Sequence, residues 1–111
     1  MAFSESERKE IDDLLRPLCE RVPERLRDKL RVEYEIEEHT VTLNERRPVH
    51  FDPTRWTTLG IARFRYARTK DEWQLYWQRA SGKWQVYGSP SSDLAPLVAL
   101  VRDDENGAFW G

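Results

Sequence analysis

Arginine, tyrosine and glutamine alternate with apolar residues in two stretches of the chain, IARFRYAR (61–68) and WQLYWQRASGKWQVY (73–87). In β-strands, side chains two residues apart share a face of the sheet. Guanidinium groups bind phosphates, and tyrosine rings stack on nucleic-acid bases. The pattern therefore predicts a sheet face that contacts single-stranded nucleic acid or another polyanion through the residues Arg63, Arg65, Tyr76, Tyr87, Gln78 and Gln85. Exposed sheet faces without a ligand are also often built from these residue types.

The distribution of charge supports an anion-binding surface in the middle of the chain. Residues 46–85 carry 9 basic and 3 acidic side chains, whereas residues 1–45 carry 8 and 13, and residues 86–111 carry 1 and 4. The net charge of −2 argues against a general nucleic-acid binder. The acidic flanks either neutralise the basic block within the fold or leave it partly uncovered.

A second candidate is the stretch RRPVHFDPTRWTT (46–58), which contains two prolines and no periodicity. It is predicted to be a loop, and long ordered loops often carry function. A phosphate-binding role would fall to Arg46, Arg47, His50 and Arg55. In the alternative interpretation, Trp56 and Phe51 pin the loop to the core while Asp52 caps a turn before Pro53.

Enzymatic chemistry has little support in the residue patterns. The chain has two His and one Cys, and it lacks the HExxH, CxxC, Walker and GxSxG motifs. His50 and Asp52 lie on one side of an extended segment, but a hydrolytic metal site needs three or four ligands. We therefore expect no metal and no cofactor. A metal-free ribonuclease that uses Arg and Tyr on a sheet, similar to the small bacterial mRNA-cleaving toxins, is a weaker alternative because of the acidic net charge.

Two helices and five strands must position these residues. Ser4 and Glu7 form a capping-box pattern, and an apolar stripe follows at the three- and four-residue spacing of a helix: Ile11, Leu14, Leu15, Leu18, Cys19 and Val22. Pro17 and Pro23 predict a kink, or a break with a second short helix from Pro23 to about Lys29. The period changes to two from residue 30, and a last helical stripe begins at Leu94. The predicted fold is α+β, a five-stranded antiparallel meander with both helices on one face.

Turn positions fix which aromatic residues lie in the core. A two- or four-residue turn at Ser81-Gly82 would pair Trp77 with Val86 and Tyr76 with Tyr87. A Lys70-Asp71 turn would pair Phe64 with Trp77. The core face is then predicted to carry Phe64, Tyr66, Trp73, Leu75, Trp77, Trp84 and Val86.

The length of 111 residues fits a single domain spanning residues 1–111. The N-terminus MAFSESERKE lacks the apolar run of a signal peptide or membrane span, and the single Cys19 excludes an internal disulfide, so a cytoplasmic protein with no membrane contact is expected. The expected partner is a single-stranded nucleic acid. The alternative is a protein interface, in which the same face or the Phe109-Trp110 tail forms a homodimer or docks an acidic protein.

The segments RDKLRVEYEIEEHTVTL, ERRPVHFDPTRW and IARFRYARTKDEWQLYWQRASGKWQVY, followed by a short helix and an aromatic-Gly end, resemble the bacterial family of domain of unknown function 3024. The resemblance covers nearly the whole chain. It implies a small bacterial single-domain protein and carries over no catalytic or binding residue. The site residues therefore depend on the physical pattern alone.

Overall fold

The computed structural model describes residues 3–110, which form an α+β fold with a five-stranded antiparallel sheet in the order β1-β2-β3-β4-β5. The elements are α1 (Glu5–Cys19), β1 (Arg31–Glu37), β2 (Thr40–Val49), β3 (Asp52–Ala67), β4 (Glu72–Gln78), β5 (Trp84–Val86) and α2 (Leu94–Asp103). The predicted fold class and meander order are confirmed.

Helix α1 begins and ends where its sequence favours it. The Ser4 side chain accepts a hydrogen bond from the Glu7 N–H, and the Glu7 carboxylate accepts one from the Ser4 N–H, so the predicted capping box is present. The helix continues through Pro17, which lies in its last turn, and ends at Cys19. The predicted second helix is only a 3-10 turn at Glu24–Leu26.

The core lies between the helices and one face of the sheet. Ile11, Leu15 and Leu18 of α1 are buried, as are Leu97 and Val101 of α2. On the sheet, the residues that meet them alternate along the strands, as the period of two requires, and the largest fully buried ones are Val41, Leu43, Phe64 and Leu75. Neither helix contributes to the opposite face, which we call the open face.

The prediction of a loop at residues 46–58 is wrong. Strand β2 continues to Val49 and β3 begins at Asp52, so these residues form a hairpin that turns at His50 and Phe51. Pro48 is tolerated because β1 ends its pairing at Arg46, which leaves this part of β2 at an edge of the sheet. Pro53 is tolerated at the start of β3 for the same reason, since proline is accepted at the first residues of a strand.

The predicted pairing of β4 with β5 is also wrong, by one residue. Tyr76 pairs with Val86, and Gln78 with Trp84. The connecting loop has three residues: the Gly82 N–H donates to the Arg79 carbonyl, and Gly82 has a φ of 88°. This left-handed glycine after a tight turn is typical of a three-residue hairpin loop. An odd loop length reverses the faces of β5, so Trp84 and Val86 lie on the open face.

The pairing of β3 with β4 differs from the prediction by two residues. Phe64 pairs with Leu75 and Ala62 with Trp77, because the loop spans the four residues 68–71. A shift of two preserves the faces. The predicted core positions Phe64, Trp73 and Leu75 are buried, and Tyr66 and Trp77 are partly buried against the core.

Candidate functional site

One row of side chains crosses the open face from edge to edge. Pairing of successive strands aligns Glu35, Thr42, Arg63, Tyr76 and Val86. The row is acidic at the β1 edge, cationic at its centre and apolar at the β5 edge, where Val86 is 53% exposed. A ligand on this face therefore meets positive charge and aromatic surface side by side.

Arg63 is held in the middle of this face by two contacts. Its Nε donates to the Thr42 hydroxyl at 3.2 Å, and its guanidinium lies 4.4 Å from the centre of the Trp84 ring. Thr42 is buried, so the hydrogen bond fixes the arginine stem against the sheet. A guanidinium stacked on an aromatic face keeps its outer N–H groups available to an anion.

The Trp84 ring lies so close to β3 that Gly60 has no room for a side chain. A Cβ on Gly60 would stand 2.6 Å from Cζ2 of the Trp84 ring and 2.7 Å from the Gln78 Oε1. Close approach of this kind is a reason for glycine in a strand. The indole and the Gln78 amide therefore both occupy space that a side chain on Gly60 would fill.

A concavity of about 360 Å³ opens beside this stack. It is lined by Glu38, His39, Thr40, Arg63, Arg65, Tyr66, Tyr76 and Trp84. Arg65 is exposed, and within residues 3–110 it makes no ion pair. The Tyr66 hydroxyl donates to the Asp71 carboxylate, which raises the pKa of Tyr66 above its ordinary value. The concavity therefore combines the cationic Arg63 and Arg65 with aromatic rings, and Glu38 adds one acidic side chain to its lining.

The structure brings together three of the residues singled out from the sequence, Arg63, Arg65 and Tyr76. Gln78 lies on the same face, but its amide turns inward: Nε2 donates to the Gly82 carbonyl at 3.0 Å, and Oε1 is buried without a partner among the described residues. Its contribution is therefore to the packing around Gly60.

Tyr87 and Gln85 do not lie on the open face. The Tyr87 ring packs edge-on against Phe109 at 4.9 Å, and its hydroxyl accepts a hydrogen bond from the Asn106 amide. Gln85 pairs with Trp77 on the helix side. The reversed face of β5 explains both differences, and it exchanges Tyr87 for Trp84 as the second aromatic side chain beside Arg63.

Sequence reasoning missed both arginine–tryptophan contacts of the open face, that of Arg63 with Trp84 and those of Trp56. The Trp56 ring, half-buried, lies 4.6 Å from the Arg31 guanidinium and 5.9 Å from that of Arg46. The signal that could have revealed Trp84 is Gly82, because a glycine at the third position of the Ala80-Ser81-Gly82 loop favours a three-residue hairpin loop. No comparable signal marks Trp56, since its pairing with Pro48 depends on a hairpin through a proline-rich segment.

The four residues of the second candidate set do not form one cluster. Arg46 belongs to the open face, where it also lies 3.8 Å from the Glu33 carboxylate. Arg47 pairs with Glu45, His50 is at the hairpin turn, and Arg55 is exposed on β3. Phe51 does not pin this segment to the core, since it is 84% exposed. Asp52 does cap its turn, accepting hydrogen bonds from the Thr54 N–H and hydroxyl.

Acidic side chains bound the site on one side. Glu33, Glu35 and Glu37 alternate along β1 on the open face, opposite Asn44, Thr42 and Thr40. They repel an anionic ligand from that edge. The favourable path for a polyanion therefore follows β3 and β4.

Within residues 3–110, no set of three or more His, Cys, Asp or Glu side chains is arranged to hold a metal ion. In the same part of the chain, neither helix has the length and apolar character needed to cross a bilayer.

Comparison with known proteins gives a family and no assigned activity. No curated protein and no solved structure matches the sequence. The sequence does match the family described as Domain of unknown function (DUF3024) over residues 3–111, essentially its whole length. With the resemblance in the strand motifs thereby confirmed, the chain belongs to the DUF3024 family.

Proposed function

We propose that this protein binds single-stranded nucleic acid through the open face of its sheet. The observation that carries the proposal is the Arg63–Trp84 stack beside Arg65 and Tyr76 on a face that neither helix covers. Single-stranded nucleic acids are bound by grooves that combine cations for the phosphates with aromatic rings for the bases.

Each side chain has a distinct part in this proposal. Arg65, exposed and without an ion pair among residues 3–110, takes a phosphate. Tyr76 and Trp84, both half-buried, offer ring surface on which bases stack. Arg63 contacts the adjacent phosphate or base from a position already fixed by Thr42 and Trp84. Prior fixation reduces the entropy lost on binding.

The charge pattern sets the path of the bound nucleic acid across the open face. The acidic row of β1 excludes phosphates from one edge, while the basic block supplies Arg63 and Arg65 on β3. Further along β3, Trp56 with Arg31 and Arg46 repeats the same pairing of ring and guanidinium. Two such stacks, separated by seven positions on one strand and hence by roughly 20 Å, would engage several successive nucleotides.

Fluorescence anisotropy with labelled single-stranded DNA and RNA of about 12 nucleotides tests the proposal, because single-strand sites cover about 4 to 16 nucleotides. Binding should weaken as salt rises from low to physiological concentration, as displacement of counterions requires. Arg65→Glu should abolish most of the binding. Arg102→Glu is the matched control, since it makes the same charge change at an exposed position of α2, in the helical layer.

Substitution of Trp84 tests base stacking separately from phosphate binding. Trp84→Ala should weaken binding by about 5- to 150-fold, the equivalent of about 1 to 3 kcal/mol per stacked base. Trp84→Phe retains a ring and should keep most of the affinity. Absence of salt-dependent binding at tens of micromolar protein, or equal effects of Arg65→Glu and Arg102→Glu, would overturn the proposal.

A protein interface on the same face is the second candidate, and the exposed Val86 beside Tyr76 favours it. Tyrosine and arginine are enriched at protein interfaces as well. Sedimentation velocity separates the two functions. A stable dimer that Val86→Glu dissociates would support the interface, whereas a monomer leaves the open face free for nucleic acid.

A further inference from the structure

The hairpin that joins β2 to β3 extends beyond the rest of the sheet. Strand β1 pairs with β2 only as far as Arg46, and β4 pairs with β3 only from Ala62 onward. Residues 47–57 therefore pair only with each other, and we call this segment the arm. It contributes to the elongated shape of the molecule, whose principal extents are 46 × 30 × 24 Å.

The arm is built without a core of its own. None of residues 47–57 is buried, and an isolated two-stranded hairpin is only marginally stable in water. Local contacts hold it: Asp52 caps the turn near the tip, the Thr57 hydroxyl donates to the Arg47 carbonyl, and Arg31 braces Trp56 at the base. The fold thus maintains an ordered projection that adds nothing to the core.

The surface of the arm is basic with an aromatic tip. Arg55 is exposed, Arg47 is exposed beside its ion pair with Glu45 at the base of the arm, and His50 lies at the turn, whereas Asp52 is the single acidic residue within the arm. Phe51 is 84% exposed at the extreme of the turn. This combination complements a polyanion that also offers apolar surface, and nucleic-acid bases provide such a surface.

We infer that the arm contacts a nucleic-acid duplex adjoining the single strand on the open face, so that the preferred ligand is a duplex with a single-stranded tail. The inference rests on the proposed function and deepens it. A two-stranded ribbon fits the major groove, which is about 12 Å wide. Apolar side chains such as phenylalanine contact or wedge between base steps in known duplex complexes.

The dimensions of the arm agree with this ligand. From Arg63 to the tip at Phe51 the strand advances about 40 Å, which corresponds to about 12 base pairs of duplex. Arg46 and Trp56 continue the open face into the base of the arm, so a strand leaving the duplex would run directly onto the face. Arg47 and Arg55 are placed along the arm to contact phosphates.

Three DNAs of equal nucleotide number distinguish the contributions: a single strand, a blunt duplex, and a duplex with a single-stranded tail. The tailed duplex should bind most tightly, at least about fivefold better than the single strand. Its salt dependence should be steeper: the slope of the logarithm of the association constant against the logarithm of salt concentration should be larger in magnitude by about 2 if two further phosphates are neutralised. Arg47→Ala with Arg55→Ala should remove this extra slope.

Phe51→Ser tests the tip without risk to the fold, because the ring is exposed and does not pack against the core. It should lower the affinity for the tailed duplex at least about threefold and leave single-strand affinity unchanged, and far-UV circular dichroism checks the fold. If the single strand binds and Arg65→Glu abolishes that binding, but the tailed duplex binds no more tightly than the single strand, only the role of the arm is overturned. Absence of binding to all three DNAs overturns the proposed function, and the role of the arm with it.

Discussion

The Trp84 indole occupies the space above Gly60, where a Cβ would stand 2.6 Å from the ring. Gly60→Ala should therefore displace the ring from Arg63 and cost about 1 to 3 kcal/mol, as overpacking does. Urea unfolding measures the loss of stability. The shift of the Trp84 indole N–H resonance, assigned with Trp84→Phe, reports the displacement.

A matched control for this substitution lies on the same strand. Thr58 is exposed and pairs with Arg46, so Thr58→Ala should change stability by less than about 0.5 kcal/mol. A Gly60→Ala variant as stable as Thr58→Ala, with an unmoved indole resonance, would contradict the close packing of Trp84 on β3.

The conformation of Gly82 determines the face of β5. Its φ of 88° favours glycine, and no atom would lie within 4 Å of an added Cβ. Gly82→Ala should therefore destabilise the protein by about 1 to 2 kcal/mol through backbone strain alone. Gly82→Asn should cost less, because asparagine tolerates the left-handed region. Ser81→Ala, at the neighbouring exposed position, is the control, and a Gly82→Ala variant that matches it in urea unfolding would argue against the three-residue loop.

Periodicity alone predicted the helical stripes, the strand order and the faces of β3 and β4. It succeeded there because burial of Phe64 and Leu75 leaves Arg63 and Arg65 no alternative but the open face. The face of β5 could not be read in this way. Trp84 and Val86 share one face, and Gln85 and Tyr87 share the other, so each face has one large ring and one smaller residue. Which face meets the core therefore depends on whether the loop before Trp84 has an odd or an even number of residues.

The arm escaped prediction for a different reason. Two prolines and a basic, aperiodic composition are typical of a loop, and they are accommodated here only because this part of the hairpin has free edges. Whether an edge is free depends on where β1 and β4 stop pairing, which is a property of the whole sheet. The grouping of Trp56 with Arg31 and Arg46 follows from the same long-range pairing.

The contact between Tyr34 and Asp12 makes stability depend on pH. The Tyr34 hydroxyl donates to the Asp12 carboxylate at 2.7 Å and lowers the pKa of Asp12, while burial, together with this hydrogen bond, raises the pKa of Tyr34 to about 12. The contact is intact at neutral pH. Its contribution is lost as pH falls through the lowered pKa of Asp12, and again as pH rises from the ordinary tyrosine pKa of about 10 toward 12.

Tyr34→Phe should accordingly destabilise the protein most near neutral pH, with the difference from the parent chain shrinking at pH values below the Asp12 pKa and above the ordinary tyrosine pKa. Urea unfolding across this range provides the measurement. Tyr76→Phe is the control, since Tyr76 is on the open face and should show no such profile. A difference between parent and Tyr34→Phe that is constant with pH would show that the hydroxyl acts by packing and not through Asp12.

Asp104 fastens the C-terminal segment to the end of α2. Its carboxylate accepts hydrogen bonds from the N–H groups of Phe109 and Trp110, and the Trp110 indole donates to the Val101 carbonyl while Arg21 covers its ring. Phe109 is thereby buried. Asp104→Ala removes both backbone contacts and places alanine at a φ of 42°, so we expect a loss of about 2 to 4 kcal/mol.

Hydrogen exchange distinguishes local opening of the C-terminal segment from a general loss of stability. In Asp104→Ala the amides of Phe109 and Trp110 should exchange faster by a larger factor than those of Phe64 and Leu75 at the centre of the sheet, because the tail opens before the core does. Asp103→Ala is the control, since Asp103 is exposed and its one ion pair among residues 3–110 is with its neighbour Arg102. Equal acceleration at all four amides would mean that Asp104 supports the whole fold, because local opening of the tail exposes the amides of Phe109 and Trp110 without unfolding the sheet around Phe64 and Leu75.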